Sequence, residues 1–474
     1  MARRQKLAKF IEKLEITTAG AEGHSIGRVD NQVVFVKYAA PGDVVDVRVV
    51  QKKKKFMEGQ IVRFHEKSTS RIEPFCEYFT LCGGCKWQHL SYQDQLAFKQ
   101  QQVIDSMQRL GGIEEFQVMP IAGCEQTQGY RNKLELTFSE KSWVAHFDKE
   151  NPTEKPPALG FHIPGQFSKI LDIEKCHLMP DFVNQIQRSL KEFCVKQGYS
   201  FHDIQLHEGL MRTAMFRCNS NNEWMVLVSF YYRDEEAISA VMNHLKSTFM
   251  DSQQGDNKVV SLVYVVNTKM NDSLQGTEVD YFAGDAYLTE TLGDKKYKIQ
   301  PLSFFQTNSA QAKVLYDITR DFAGLTGTEL VYDLYTGTGS IALYVSDKAK
   351  KVVGIEYVEA AIEDAKVNSQ WNSVENCEFF AGDMKDILTS EFIAHHGKPD
   401  VIITDPPREG MHPDVVNRIL ESEPNRIVYV SCNPATQARD AKLLSEKYRL
   451  VKIQPVDMFP HTHHVENVAL FERL

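Results

Sequence analysis

Two groups of residues in this 474-residue chain could do chemistry. Near its end, an apolar run delivers Ser431-Cys432-Asn433-Pro434, and Glu466 follows in FPHTHHVENV. A cysteine at the mouth of a strand is placed as a nucleophile, and a carboxylate beside it as a proton acceptor. Set next to a methyl donor, this pair suits methylation of uracil at carbon 5. That carbon is too weakly nucleophilic to take a methyl group unaided. Thiolate addition at carbon 6 gives an enolate that activates it, and a base must then remove the carbon-5 proton so that the thiol can leave.

The second group is Cys76, Cys82 and Cys85, three of the nine cysteines, packed into CEYFTLCGGC. Disulfides do not persist in a reducing cytoplasm, so a tight cluster of this kind points to metal. Three thiolates need a fourth ligand, and spacing alone leaves zinc and an iron–sulfur cluster both open. The five-residue gap does not match the Cys-x3-Cys-x2-Cys of radical S-adenosylmethionine enzymes. His461, His463 and His464 can be read as a further metal group. The methylation needs no metal, so the simpler expectation is that they shape the Glu466 loop or meet RNA.

The segment between supplies the site for a methyl donor. ELVYDLYTGTGS reads as an apolar strand ending in a glycine turn, with Asp333, Gly337 and Gly339 at its end. Glycine lets the backbone approach a ligand where a Cβ would clash. Glu356 ends the next strand, 23 residues on, where an acid accepts hydrogen bonds from ribose hydroxyls; Asp383 ends the third, beside an adenine ring. The turn reads G-T-G-S and not G-x-G-x-x-G, which serves a dinucleotide pyrophosphate poorly and favours S-adenosylmethionine over NAD. Asp405-Pro406-Pro407-Arg408 follows the fourth strand. Amino-methyltransferases carry an aromatic where Arg408 stands, which argues against nitrogen methylation.

These residues need a frame. From about residue 301, strands alternate with helices: a helix from Ile341, KVVGIEYVE, a helix from Ala360, then CEFFAGD, DVIITDPPR, RIVYVSCNP and a terminal VENVALFERL. The alternation predicts an α/β, Rossmann-like, doubly wound and largely parallel sheet, with ligands at the C-terminal ends of its strands. Residues 10–67 read as five short strands with a Pro41-Gly42-Asp43 turn and a basic tip at Lys52–Lys55, a small β-barrel of the oligonucleotide-binding type. The stretch between is mixed α+β. It has strands at Lys133–Phe138 and Val259–Val266, helices near Gln93–Leu110 and Pro180–Gln197, and a polar loop at Asn151–Pro157. Three units are expected, over residues 1–70, 71–300 and 301–474.

The chain is too long for one ordinary core, and 42% hydrophobic with 25% charged residues is the composition of a soluble globular protein. No run approaches the roughly 20 apolar residues of a membrane span, and the basic N-terminus lacks the apolar segment of a secretory signal, so a cytoplasmic location is expected. The net charge of −9 hides an asymmetry: residues 1–71 carry 15 Lys and Arg against 8 Asp and Glu, leaving 39 against 55 for the rest. A basic first unit on an acidic body points to an anionic partner, and a basic-looped barrel to a nucleic-acid backbone.

SFFQTN (303–308), DLYTGTGS, DPPREG, SCNPATQARD (431–440) and FPHTHHVENV resemble the bacterial RNA 5-methyluridine methyltransferases. The resemblance covers nearly the whole chain and is closest to the iron–sulfur-containing branch that modifies 23S ribosomal RNA. It implies an N-terminal TRAM domain, a central domain with a [4Fe–4S] cluster and RNA-binding surface, and a class I methyltransferase domain. The family's nucleophile falls on Cys432 and its base on Glu466. Its S-adenosylmethionine contacts fall on Gln306, Tyr335, Ser340, Glu356, Asp383 and Asp405, although asparagine is common in the family where Ser340 and Asp383 stand. Cluster ligands fall on Cys76, Cys82, Cys85 and Cys176, with Cys124 the alternative fourth. Tyr130–Lys133 is expected to line the RNA channel. Members acting on transfer RNA commonly lack both the cysteine cluster and the TRAM domain, so 23S RNA is the implied substrate, with no DNA or membrane partner. A transfer RNA uridine and a non-catalytic RNA-binding or assembly role are the alternatives.

Overall fold

A computed structural model describes residues 10–144 and 155–474; residues 1–9, and 151–154 of the expected polar loop, lie outside the described residues. Alternating apolar and polar side chains run along β1 (Phe10–Ala19), β2 (His24–Val29), β3 (Gln32–Lys37), β4 (Val44–Lys52) and β5 (Phe56–Glu66). The inward halves, among them Leu14, Val34, Val36, Val45, Val47 and Met57, make one small core. The order β1-β2-β3-β5-β4 closes into a barrel, which leaves no open edge. Lys52–Lys55 stand exposed at the β4–β5 turn, as the sequence predicts. Asp43, buried in the expected turn, ties the barrel to the chain beyond it by accepting from Arg71 Nε at 2.8 Å and from Ser68 N at 2.9 Å.

After the cysteine loop, α1 (Tyr92–Arg109) starts at Ser91, whose hydroxyl accepts from Asp94 N, and β6 (Gln117–Val118) follows. Neither stays with the middle unit. β6 pairs in parallel with the edge of the C-terminal sheet, and Val103 and Met107 of α1 pack into that domain's core. The structure thus divides the expected 71–300 unit, because the apolar stripe of α1 finds its complement on the C-terminal domain. The middle sheet is built from β7 (Lys133–Ser139), β8 (Ala158–Ile163), β9 (Gln166–Asp172), β10 (Met211–Cys218), β11 (Glu223–Phe230), β12 (Lys258–Val266) and β13 (Asp280–Gly284), in the order β13-β12-β11-β10-β7-β8-β9. Helices α2 (Phe182–Gln197) and α3 (Glu235–Leu245) pack side by side against it.

A hairpin of β14 (Leu288–Leu292) and β15 (Lys295–Ile299) and helix α4 (Ser309–Ala323) lead into the C-terminal sheet. There β16 (Leu330–Leu334), α5 (Ser340–Val345), β17 (Lys351–Glu356), α6 (Glu359–Trp371) and β18 (Cys377–Ala381) form one half. Short helices α7 (Met384–Ile387) and α8 (Ser390–His396) precede β19 (Val401–Thr404), α9 (Pro413–Ser422), β20 (Arg426–Ser431), α10 (Pro434–Leu444), β21 (Tyr448–Val456) and β22 (Glu466–Arg473). The strand order is β18-β17-β16-β19-β20-β22-β21-β6. The inner strands are buried almost throughout, as continuous apolar runs in a sheet covered on both faces must be. β16 and β19 run parallel, and the winding of successive strands changes direction between them, the place where a doubly wound sheet opens a crevice at the C-terminal ends of its strands. β22 runs antiparallel between β20 and β21, so its first residue lies at the same end of the sheet as the last residue of β20. Among the described residues no helix is long and apolar enough to cross a membrane.

Candidate active site

Strand register brings the thiol and the carboxyl together. Ser431 pairs with Asn467 at the last rung of β20 and β22, so Cys432, the residue after β20, and Glu466, the first of β22, come out at the same end of adjacent strands. Buried amides lock that register: Asn467 Nδ2 donates to Gln437 Oε1 at 2.8 Å, and Gln437 Nε2 to the Tyr429 carbonyl at 2.8 Å. Asn433 caps α10 through Ala435 N and donates from Nδ2 to the Arg408 carbonyl at 3.0 Å, while Thr436 Oγ1 donates to the same carbonyl at 3.1 Å. The SCNP and DPPR loops are therefore stitched into one wall.

Electrostatics point to the same grouping. Glu466 is 6% exposed, and its carboxyl has no hydrogen-bond partner among the described residues. Burial, then Asp405, push it up to about 8, with Arg408 opposing. Burial, then Glu466 and Asp405, push Cys432 up to about 12, and Arg408 again opposes. Both shifts favour the protonated forms of the two groups.

The neighbouring crevice is acidic. Asp333 is buried, accepts from Thr336 Oγ1 and from Ala342 N at 3.1 Å, and leaves Oδ1 without a partner. Burial lifts Asp333 to about 7, and burial with Asp333 lifts Asp405 to about 7. Tyr335, Gly337 and Gly339 all take positive φ, at 64°, 55° and 78°. A Cβ on Gly337 would meet nothing within 4 Å, so its backbone faces open space, whereas one on Gly339 would press Ala365 Cβ at 3.0 Å and the Phe379 ring at 3.1 Å. The first glycine leaves room for a ligand; the second lets α6 and β18 close in. Glu356 accepts from Gly337 N at 3.2 Å and Val358 N at 3.0 Å. Asp383 caps α7 and pairs with Lys385 at 2.9 Å, and both acids act on the Tyr335 phenol.

Ser340 Oγ accepts from the Tyr316 hydroxyl at 3.1 Å. The Gln306 side chain makes no hydrogen bond among the described residues, and its carbonyl accepts from Asn132 Nδ2 at 3.0 Å, which latches the predicted RNA-facing segment onto the methyltransferase domain. Sequence reasoning missed Tyr316. Its phenol is raised by burial and by Asp405, Asp333 and Glu466, so it stands between the crevice and the thiol–carboxyl pair. Asp333, Glu356 and Asp405 have no Lys or Arg in ion-pair contact among the described residues. A crevice with unbalanced carboxylates and an orphaned buried oxygen fits a donor that carries positive charge, as the sulfonium of S-adenosylmethionine does.

The four expected cluster thiols gather on one side of the central unit. Burial lifts Cys85 to about 12, and Cys82, Cys176 and Cys76 all act on it. Gly84 N donates to Cys82 Sγ at 3.4 Å, and none of the four is in a disulfide. Cys124 lies apart, where Asn308 donates to its sulfur at 3.6 Å and Asp457 and Lys99 are its charged neighbours. Among the described residues, no three His, Cys, Asp or Glu side chains converge closely enough to hold a single ion.

The doubly wound sheet and its acidic, glycine-turned crevice define a class I S-adenosylmethionine-dependent methyltransferase. Residues 280–474 match the tRNA (uracil-5-)-methyltransferase family, and residues 12–62 the TRAM domain. The chain is 52% identical to an uncharacterized RNA methyltransferase of Porphyromonas gingivalis, over 97% of this chain and 99% of that protein. It is 50% identical to one of Bacteroides thetaiotaomicron, over 95% and 99%. The structure is similar to that of the Pyrococcus abyssi tRNA (uracil-54, C5)-methyltransferase in complex with S-adenosyl-L-homocysteine, with a TM-score of 0.75 at 29% identity, covering 97% of this chain and 100% of that one. The chain belongs to the RNA uracil-5-methyltransferase family and carries its TRAM domain.

Proposed function

We propose that the protein methylates carbon 5 of a specific uridine in 23S ribosomal RNA through a covalent Cys432 adduct. The observation that supports this reading is the β20–β22 pairing, at whose shared end Cys432 and Glu466 both stand. S-adenosylmethionine, when bound, supplies an electrophilic methyl group. Gln306, Tyr335, Ser340, Glu356, Asp383 and Asp405 are its proposed contacts; the contacts among Tyr335, Glu356 and Asp383 and the grouping of Ser340 and Asp405 with Tyr316 support five of them, and Gln306 rests on the resemblance.

A uracil inside folded RNA hides carbon 6, so the base must be taken out of its stack. Cys432 gives up its proton to water, not to Glu466, and adds to carbon 6 as the thiolate; Arg408 is the cation that offsets its charge. The electron pair pushed toward carbon 5 takes up the methyl group. Glu466, in its ionised form, then accepts the carbon-5 proton; the double bond re-forms and the thiolate leaves. Burial and the neighbouring Asp405 carboxyl keep Glu466 basic.

The exposed Lys52–Lys55 tip supports RNA binding by the barrel, through salt-dependent contacts with phosphates. Cys76, Cys82, Cys85 and Cys176 are the proposed ligands of a [4Fe–4S] cluster that orders the central unit; the reading rests on the resemblance and on four thiols outside any disulfide, three of which act on Cys85, and the side chains as they stand do not converge on a single ion. The cysteine set together with the TRAM domain favours a ribosomal substrate. The Pyrococcus relative, named for a transfer RNA uridine, favours the second reading, the same chemistry on transfer RNA.

Labelled S-adenosylmethionine and total RNA from cells lacking the gene decide between them: label in 5-methyluridine of the large ribosomal RNA supports the proposal, and label in transfer RNA overturns its substrate. Cys432→Ala is expected to bind RNA and transfer no methyl. Glu466→Gln is expected to accumulate a covalent methylated protein–RNA adduct; turnover without adduct would remove Glu466 from the role of base.

A further inference from the structure

Glu466 is aimed by the loop over residues 457–465, and the rest of the chain grips that loop at several points. Asp457 is fully buried against Lys99 of α1, Nζ to Oδ1 at 2.6 Å, and Tyr92 donates to its other oxygen at 2.9 Å. Lys99 also donates to the Phe459 carbonyl, and Tyr130 to the Pro460 carbonyl, each at 3.1 Å. The tightest grip closes on His461. Its carbonyl accepts from Lys86 N and Trp87 N, both at 3.0 Å, and its own N–H donates to the Gln95 side-chain oxygen at 2.8 Å. The Gln95 nitrogen donates to the Trp87 and Leu90 carbonyls at 3.1 and 3.0 Å, so the glutamine is itself fixed from both sides. His461 takes φ of 66°, a left-handed conformation that a non-glycine residue holds only when its surroundings impose it.

We propose that His461 is a positioning residue: its left-handed backbone, locked by Lys86, Trp87 and Gln95, turns the loop into β22 so that Glu466 meets carbon 5 of the Cys432-bound base. The inference rests on the assignment of Cys432 as nucleophile and Glu466 as base. It also joins the cysteine loop to catalysis, because the two locking amides follow Cys85 directly in the chain. A cysteine loop that shifts takes the grip on His461 with it. Cys432 stands on a different strand and loop, so disturbing the grip slows proton removal and release while thiol addition and methyl transfer persist.

The test compares full-length His461→Ala, His461→Gly and Gln95→Ala with Glu466→Gln and the unmutated protein. It uses labelled S-adenosylmethionine and substrate RNA, and reads first-turnover methyl transfer, steady-state release and adduct on a denaturing gel. His461→Ala is expected to keep first-turnover transfer, slow release several-fold and accumulate adduct, since alanine enters the left-handed region several-fold less readily than histidine. His461→Gly, which enters positive φ freely, is expected to release within about threefold of the unmutated rate. Gln95→Ala should behave as His461→Ala and speed amide hydrogen exchange at residues 461–464. Equal slowing of the glycine and alanine variants would assign the effect to the imidazole, and unchanged release in both would deny the grip any role; either overturns the proposal. Adduct in Glu466→Gln but none in His461→Ala refutes the positioning role alone, whereas no adduct in Glu466→Gln refutes the base assignment and this proposal with it.

Discussion

A carboxyl buried without a partner should cost the fold stability in a way that depends on pH. Glu466 is 6% exposed and lifted from 4.5 to about 8 by burial and by Asp405. Below about pH 4.5 the group is protonated whether the chain is folded or not, and it contributes no penalty. Between 4.5 and about 8 the unfolded chain has released the proton while the folded chain keeps it, so folding stability falls as pH rises. Above about 8 the carboxylate is buried and the full cost is in place. At about 1.4 kcal/mol for each pH unit, the cost comes to about 5 kcal/mol, an upper bound that water entering the pocket reduces. Glu466→Gln carries no titrating group there, and the remaining carboxyls titrate in both proteins. The variant should therefore gain stability over the unmutated protein from pH 5 to pH 9, by several kcal/mol. Urea titrations at pH 5, 7 and 9, followed by tryptophan fluorescence, measure the difference in midpoint and slope. Stability differences that stay constant within about 0.5 kcal/mol across that range, the size of an ordinary surface substitution, would show that the carboxyl is solvated or paired and refute the burial argument.

Replacing Lys52–Lys55 by Gln should weaken RNA binding at low salt and flatten its salt dependence, by a slope of about 0.7 for each lost phosphate contact with single-stranded RNA, leaving kcat at saturating RNA unchanged; filter binding across a salt series checks this. Gly339→Ala should press Ala365 and Phe379 and force a left-handed alanine, so S-adenosylmethionine binding measured by calorimetry should weaken about tenfold or more. Lys99→Met leaves Asp457 buried and unpaired, and chemical denaturation should show a loss of about 3–5 kcal/mol, which a Lys99→Met/Asp457→Leu double variant partly restores.

Much of this site is legible in the sequence because it sits where periodic strands end. Asp333, Glu356, Asp405 and Cys432 each close or follow an apolar run, and a parallel sheet puts those ends on one side. The barrel is legible for the same reason, through alternation and turn residues. What escapes is whatever depends on contacts between distant segments. β6 is two residues long and exists only because it docks on β21. The allegiance of α1 depends on which surface fits its stripe. The Lys99–Asp457 pair joins positions 358 residues apart, and no local window contains both. Tyr316 lies inside an ordinary amphipathic helix, and only the fold turns its hydroxyl toward Ser340. By spacing alone Cys176 and Cys124 are equally plain, and it is the resemblance that chooses Cys176; in the fold Cys176 acts on Cys85, while Cys124 has Asp457 and Lys99 as its charged neighbours.

The central claim is that Cys432 bonds to carbon 6 of a uracil and that Glu466 then takes the carbon-5 proton. RNA containing 5-fluorouridine tests it directly, because fluorine at carbon 5 cannot be removed as the proton is, and the adduct cannot resolve. The full-length protein, incubated with S-adenosylmethionine and fluorouridine-substituted ribosomal RNA and then digested, is analysed by mass spectrometry. The account predicts a peptide containing Cys432 linked to a methylated fluorouridine nucleotide, absent from Cys432→Ala. A methylated RNA product with no covalent peptide, or a link to another cysteine, would contradict it.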